Sequence, residues 1–256
     1  MWKFPAYAIV LILTVWFGST YSGPLEPLVK GAALTVGALQ FIGVFGLMHE
    51  SAHGHLARSG KVNRLIGEVL SVVVGTSYTG YRIAHLTHHA RFRTERDPQE
   101  VIFPRRPKPM TVALLAVAAV ILGIAIYVGL GAVLPAAQWH FLLWTILAGW
   151  VLGSMNDIVY HQGLVDEDSL QASTSFDCDF FGQAFLSGAN RHAEHHLYPA
   201  VPGPRLVAVS KILRSELQAV GVPYERGFMI AFIRRLTTNP VFLPKPREKE
   251  LAEVGE

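Results

Sequence analysis

Two copies of one histidine pattern constrain this chain more than any other feature of its sequence. His85-Leu-Thr-His88-His89 and His192-Ala-Glu-His195-His196 share the spacing HxxHH. On a helix that spacing keeps all three rings within roughly 100° of arc. A further cluster, His49-Glu-Ser-Ala-His53, sets two imidazoles at i and i+4 on one helical face. His161 stands apart, with Asp157 one turn earlier and Asn156 beside it. His55 is the odd one out, since a continued helix would turn it roughly 160° from His53. A lone histidine on an apolar helix is usually a hydrogen-bonded core residue. Nine of them in this register need a common purpose, and a fold that collects them on one side of the chain.

The stretches between the clusters are apolar. The chain is 51% hydrophobic and only 16% charged, with a mean hydropathy of +0.33, whereas soluble domains carry about 25% charge. This argues for an integral membrane protein of a single domain, residues 1–256. A membrane-crossing helix needs about 20 apolar residues. Residues 4–20, 28–48, 110–134 and 138–160 meet or approach that need. Lys3 before a short apolar core also resembles a signal peptide, but no clean cleavage site follows. Residues 65–80 are short and carry Glu68, which points to an interfacial or re-entrant helix.

Charge fixes the expected orientation. Ten Lys/Arg lie between His49 and Pro109 and ten follow His161, while Gly18–Pro27 and Pro135–Ala137 have none. The positive-inside rule then puts both basic segments and both termini in the cytoplasm, and with them every histidine cluster. Residues 162–243 are expected as a cytoplasmic cap. Its stretch Leu206–Val220 carries Leu206, Val209, Leu213 and Leu217 on one face and is expected to lie on the membrane surface. Pro104–Pro109 reads as a linker and 244–256 as a frayed tail. The expected class is all-α: four transmembrane helices with a cytoplasmic helical cap that holds a histidine-rich dimetal site.

Cys178 is the only cysteine, so no disulfide framework, thiolate zinc site or iron–sulfur cluster can form. Nine neutral imidazoles exceed what one ion can bind, which implies two. Imidazole suits iron, copper, zinc or nickel. Zinc lacks redox chemistry and rarely takes so many nitrogens. Two irons that activate dioxygen are the economical reading, although spacing does not separate iron from copper. HExxH also suggests a zinc protease with Glu50 as base, but that leaves six histidines idle. A metal transporter would want polar residues within the spans, and 110–134 has none beyond Thr111.

The pattern resembles the integral-membrane fatty acid desaturase/hydroxylase superfamily, and most closely its small bacterial members. The resemblance runs from His49 to Pro202. It rests on His49-Glu-Ser-Ala-His53-Gly, on His85-Leu-Thr-His88-His89 with Asp97-Pro98, and on Asn190-Arg-His192-Ala-Glu-His195-His196-Leu-Tyr-Pro. It implies a di-iron centre held by His49, His53, His85, His88, His89, His161, His192, His195 and His196, with O2 as co-substrate. His161 is similar to the extra ligand of acyl-CoA desaturases, which have an asparagine four residues earlier; here that position is Asp157, with Asn156 one residue off.

Such proteins attack an unactivated C–H bond of a lipid-like substrate, a task that needs a redox metal. The implied activity is desaturation of an acyl chain. The alternative is hydroxylation or ketonation of a carotenoid, alkane or acyl chain. Electrons must come from a separate ferredoxin or cytochrome with its reductase, and the implied location is a bacterial inner membrane. Membrane lipids are expected partners and nucleic acid is not. Asp97, Asp157, Asn156, Asn190 and Glu194 are candidates to brace the ligands, because a metal-bound imidazole usually gives its other N–H to an oxygen. The bland readings are that Asp97 only starts a turn before Pro98 and that Glu194 is solvated. Arg82, Arg91, Arg93 and Arg96 suit an anionic head group, an acidic electron donor or lipid phosphates.

Overall fold

The computed structural model describes residues 3–92, 94, 96–98, 128–129, 132–133, 135–161, 164 and 170–238. The expected span at 110–134 therefore lies almost wholly outside the described residues. So do the linker Pro104–Pro109 and the tail 244–256.

The described chain is mostly helical. Its helices are α1 (Lys3–Thr20), α2 (Glu26–Ala52), α3 (Gly60–Val74), α4 (Tyr78–Arg91), α5 (Ala136–His161), α6 (Asp179–Phe185), α7 (His192–Leu197), α8 (Gly203–Ala219) and α9 (Phe228–Thr238). Two short strands, β1 (Ser175–Phe176) and β2 (Tyr224–Glu225), pair in parallel, with Ser175 opposite Tyr224. Among the described residues α2 and α5 are long and apolar enough to cross a membrane, and α1 is a shorter apolar helix.

Small residues let these three helices approach closely, as is common where apolar helices pack together. A Cβ on Gly149 of α5 would stand 2.3 Å from the Phe41 ring of α2. The α1 hydroxyl of Tyr7 donates to the Ala184 carbonyl in α6, tying the first helix to the far half of the chain. Phe41, Val44 and Met48 of α2 share a buried cluster with Tyr7, Leu70, Val74, Tyr78 and Ile146.

Residues 65–80 do not form one helix. The Ser59 side chain caps the start of α3, and Gly75, at φ +72°, ends it. Ser77 then caps α4. The left-handed glycine is the cause of the break, because a residue without Cβ adopts that conformation at little cost. One face of α3 packs inward through Asn63, Leu70 and Val74, while Val62, Leu65, Val69 and Val72 are exposed.

The apolar face of α8 differs from expectation. Leu206 and Leu217 are buried, and Leu217 packs in a cluster with Ala193 of α7 and Val222. Leu206 and Leu217 of that face are therefore covered by the protein itself. The exposed apolar face in this part of the chain belongs to α9, with Met229, Ile230, Ile233 and Leu236.

Candidate metal centre

Three helix ends aim at one place. His49 lies in the last turn of α2, His88 and His89 in the last turn of α4, and His161 closes α5. The C-terminal end of a helix carries partial negative charge, which favours a cation. Strand β1 brings in the remaining helix: the Phe176 N–H donates to the Asn190 carbonyl at 2.9 Å, and Ser175 bridges Arg191. This pins the residues that lead into α7.

The imidazoles divide into two groups. In the first, ring nitrogens of His49, His53, His85, His89 and His195 all lie within 4.8 Å of one another. The Nε2 atoms run in close steps: 2.8 Å from His53 to His85, 3.2 Å from His85 to His89, and 3.0 Å from His89 to His195. In the second, His88, His161 and His196 meet the same 4.8 Å limit. His192 joins them, its Nε2 2.9 Å from that of His161 and 3.1 Å from that of His196.

Each HxxHH box is shared between the groups, and in opposite senses. His85 and His89 enter the first group and His88 the second. His192 and His196 enter the second and His195 the first. Residues i and i+4 point alike on a helix, and i+3 is turned roughly 100° from i+4. A box laid across the seam therefore feeds both sides. The groups touch through His89 and His196, whose ring centres are 4.6 Å apart. A cavity of about 90 Å³ opens at that seam, with both rings in its wall.

These side chains fit a pair of cations. Two nitrogens bound at right angles to one ion, at about 2.1 Å each, stand about 3.0 Å apart, close to the spacings above. His88 gives the more direct test. Its Nδ1 donates to Asp97 at 2.9 Å, so in the neutral ring Nε2 carries a lone pair. That Nε2 is buried and has no hydrogen-bond partner among the described residues. His161 Nδ1 likewise donates to the Ala172 carbonyl at 3.2 Å, leaving its Nε2 toward His192.

The environment keeps six of these rings neutral. Burial, reinforced by neighbouring imidazoles, holds His85, His192, His195 and His196 well below the usual histidine range. Burial followed by the same repulsion brings His53 down to about 3 and His89 to about 2. A neutral imidazole is the form that binds metal.

Asp97 is 1% exposed and stands behind His88, so it does more than start a turn. Glu194 is also fully buried, contrary to the solvated reading. It accepts from the Ser175 hydroxyl and, at 2.9 Å, from the Tyr224 hydroxyl, and so ties α7 to both strands. Asn190 donates to the Phe176 carbonyl at 3.2 Å and holds the approach to α7. Asp157 and Asn156 stand on α5 one turn before His161; Asn156 Oδ1 is buried without a partner among the described residues. Arg82, Arg91 and Arg96 are exposed, and Arg93 lies outside the described residues.

His55 is excluded for a reason other than helical phase. The helix stops, Gly54 turns at φ +85°, and His55 Nδ1 meets Glu50 Oε2 at 3.2 Å. Glu50 is the residue that spacing did not single out for this place. It is 4% exposed, accepts the Gly203 N–H at 3.0 Å, and lies 3.5 Å from His49 Nδ1. The approach needs two glycines: a Cβ on Gly203 would stand 1.9 Å from the Ser187 carbonyl oxygen, and Gly188 adopts φ +90°.

Three aromatic rings also brace the imidazoles. Tyr81 stacks on His85 at 5.4 Å and 6°, Tyr160 on His192 at 4.0 Å and 12°, and Phe92 on His196 at 4.2 Å and 30°. Tyr81 is four residues before His85, so helical spacing foreshadows that pair. The other two are tertiary contacts with no local signal.

The pattern that defines the fatty acid desaturase family matches residues 25–115 and 101–228, a range that includes all nine histidines. The chain belongs to the fatty acid desaturase family. The histidine clusters of this desaturase-family chain suit a di-iron site. It is 39% identical over 49 residues to the omega-3 fatty acid desaturase of the endoplasmic reticulum from Vigna radiata var. radiata, covering 19% of this chain and 13% of the relative. It is 29% identical over 102 residues to the acyl-lipid omega-3 desaturase (cytochrome b5) of the endoplasmic reticulum from Arabidopsis thaliana, covering 40% of this chain and 25% of the relative. The matches thus span a quarter or less of each plant protein.

Proposed function

We propose that this chain is a membrane di-iron oxidase that desaturates the acyl chain of a lipid, with His49, His53, His85, His89 and His195 around one iron and His88, His161, His192 and His196 around the other. The observation that carries the reading is the pair of touching imidazole groups, joined to membership of the desaturase family. The two irons would supply the redox power to break an unactivated C–H bond with O2, which acid–base chemistry cannot do.

The balance is simple. The acyl chain loses two hydrogens and gains a carbon–carbon double bond. Together with two electrons and two protons from outside, they reduce O2 to two waters. With one cysteine in the chain, the electrons come from a ferredoxin or cytochrome and its reductase. Cytochrome b5 in the name of the Arabidopsis relative supports the cytochrome.

The protein's own work is positional. Asp97 fixes the tautomer of His88, Tyr81 and Tyr160 fix ring planes, and Glu50 clamps the end of α2 to α8. Four spans, a cytoplasmic cap and a bacterial inner-membrane location complete the proposal. They would set the site at the membrane boundary, where an acyl chain can reach it.

Mass spectrometry of total lipids tests the reading, in cells that express the chain with a ferredoxin or cytochrome b5 and the matching reductase. A species lighter by two hydrogens, absent with His88→Ala, is expected. A species heavier by one oxygen would replace desaturation with hydroxylation. Purified protein without bound iron or another redox metal would end both readings.

A further inference from the structure

Residues 172–176 run back along the end of α5 and grip its last two residues. The Ala172 carbonyl accepts His161 Nδ1 at 3.2 Å, and the Thr174 N–H donates to the Tyr160 carbonyl at 3.0 Å. Phe176 then stacks on the Tyr160 ring at 6.1 Å and 15°. Ala172, Thr174 and Phe176 are wholly buried. The direction of the His161 ring therefore depends on where this strap sits. From Ser175 onward β2 holds it, through Ser175 N–H to the Pro223 carbonyl and Asp177 N–H to the Glu225 carbonyl. Upstream of Ser175 the Ser173 hydroxyl has no partner among the described residues, and the strap is held through the side chain of Thr174.

Arg235 supplies that hold. It comes from α9, 61 residues further on, and donates through Nη2 to Thr174 Oγ1. It is 6% exposed, and the same Nη2 stands 3.9 Å from Glu225 Oε1. Its Nε is buried with no partner among the described residues. A buried guanidinium with an unmet donor costs stability that an apolar side chain of the same reach would not. Packing does not call for it, since Ala231, one turn earlier, already joins the cluster of Val159, Tyr160 and Phe176. What the guanidinium does, and an apolar chain cannot, is tie Thr174 to Glu225 and so set the strap against β2.

We propose that Arg235 is a positioning residue for His161. By holding Thr174 it fixes the Ala172 carbonyl, and with it the tautomer and the plane that aim His161 Nε2 toward His192. The inference rests on the metal reading of the second imidazole group and adds to it a residue from a helix without histidines. Its effect falls on the group of His88, His161, His192 and His196 and spares the other group.

Titration of the metal-free full chain with Co2+ in phosphatidylcholine nanodiscs, followed by the visible absorption of the bound ion, tests the proposal. Two binding steps are expected in the wild type, and His88→Ala identifies the one that belongs to the second group. Arg235→Met should weaken that step about tenfold, the low end of what loss of a ligand's own partner costs, and leave the other step unchanged. Arg235→Lys keeps a cation and should recover part of the loss. Arg234→Met, at an exposed neighbour that also meets Glu225, should leave both steps unchanged. Thr174→Val removes the acceptor and keeps Arg235; it should reproduce the selective loss, which preserves the test if Arg235→Met fails to fold. Equal weakening of both steps would mean general loosening, and unchanged binding in Arg235→Met and Thr174→Val would mean that the strap holds itself; either overturns the proposal. A wild type that binds no Co2+ would instead remove the metal reading beneath it.

Discussion

His88 donates a hydrogen bond from Nδ1 to Asp97, nine residues further on, and leaves Nε2 buried without a partner among the described residues. Asp97→Ala should therefore free the ring to rotate and to change tautomer. Loss of such a carboxylate typically weakens metal binding about 10–100-fold. Metal analysis after dialysis against a graded chelator should show roughly half the wild-type iron retained, with Asp97→Asn between the two. Full retention by Asp97→Ala would mean that His88 holds nothing.

His53 and His55 are two residues apart and have separate fates. His53→Ala should lower bound iron, whereas His55→Ala should leave it unchanged, because His55 faces Glu50. The two variants, measured side by side for iron per chain, form an internal control for each other. Equal losses would contradict the split.

Gly149 packs against Phe41 with no room for a methyl group. Gly149→Ala should destabilise the contact of α2 with α5 by about 1–3 kcal/mol, the usual penalty for overpacking. A lower melting temperature in detergent is the readout, and Gly153→Ala, where a Cβ would meet nothing within 4 Å, is the comparison.

The metal-free protein should lose stability on mild acidification. His85 and His195 have folded-state pKa values far below the unfolded value of about 6.5. Their contribution is complete above that unfolded value and declines as pH falls below it, where the unfolded chain takes up protons first. Each adds a slope of about 1.4 kcal/mol per pH unit in that window. Denaturant melts of the metal-free protein between pH 5 and 8 check the sign. Stability that is flat or rising toward pH 5 would contradict it.

The family and the gathering of the histidines were legible because spacing on a helix is a local property. HxxxH and HxxHH fix which rings point together before any partner is known. The sharing of each box between two groups was not legible, since it depends on how α4 and α7 lie across the seam. Glu50 was visible only as part of an HExxH string, and its contact with Gly203 needs a loop that folds back with two glycines. The apolar face of α8 was read correctly as a face, but its partner was not. A hydrophobic stripe reports that something covers it, and Ala193 and Val222 are as apolar as a lipid. The stacking of Tyr160 on His192 joins distant segments and leaves no trace in either.

The shared boxes have a consequence for assembly. A bound ion pair would fasten His53 to His85, His161 to His192, and His89 to His195, which lie 32, 31 and 106 residues apart. Each fastening acts as a cross-link and removes loop entropy from the unfolded chain, more for the longer loop. Because α4 and α7 would each serve both ions, neither position could be completed by one stretch of chain while the other waits. Iron supply would then govern how much protein survives to maturity, and scarcity would show first as a missing protein before it showed as an idle one.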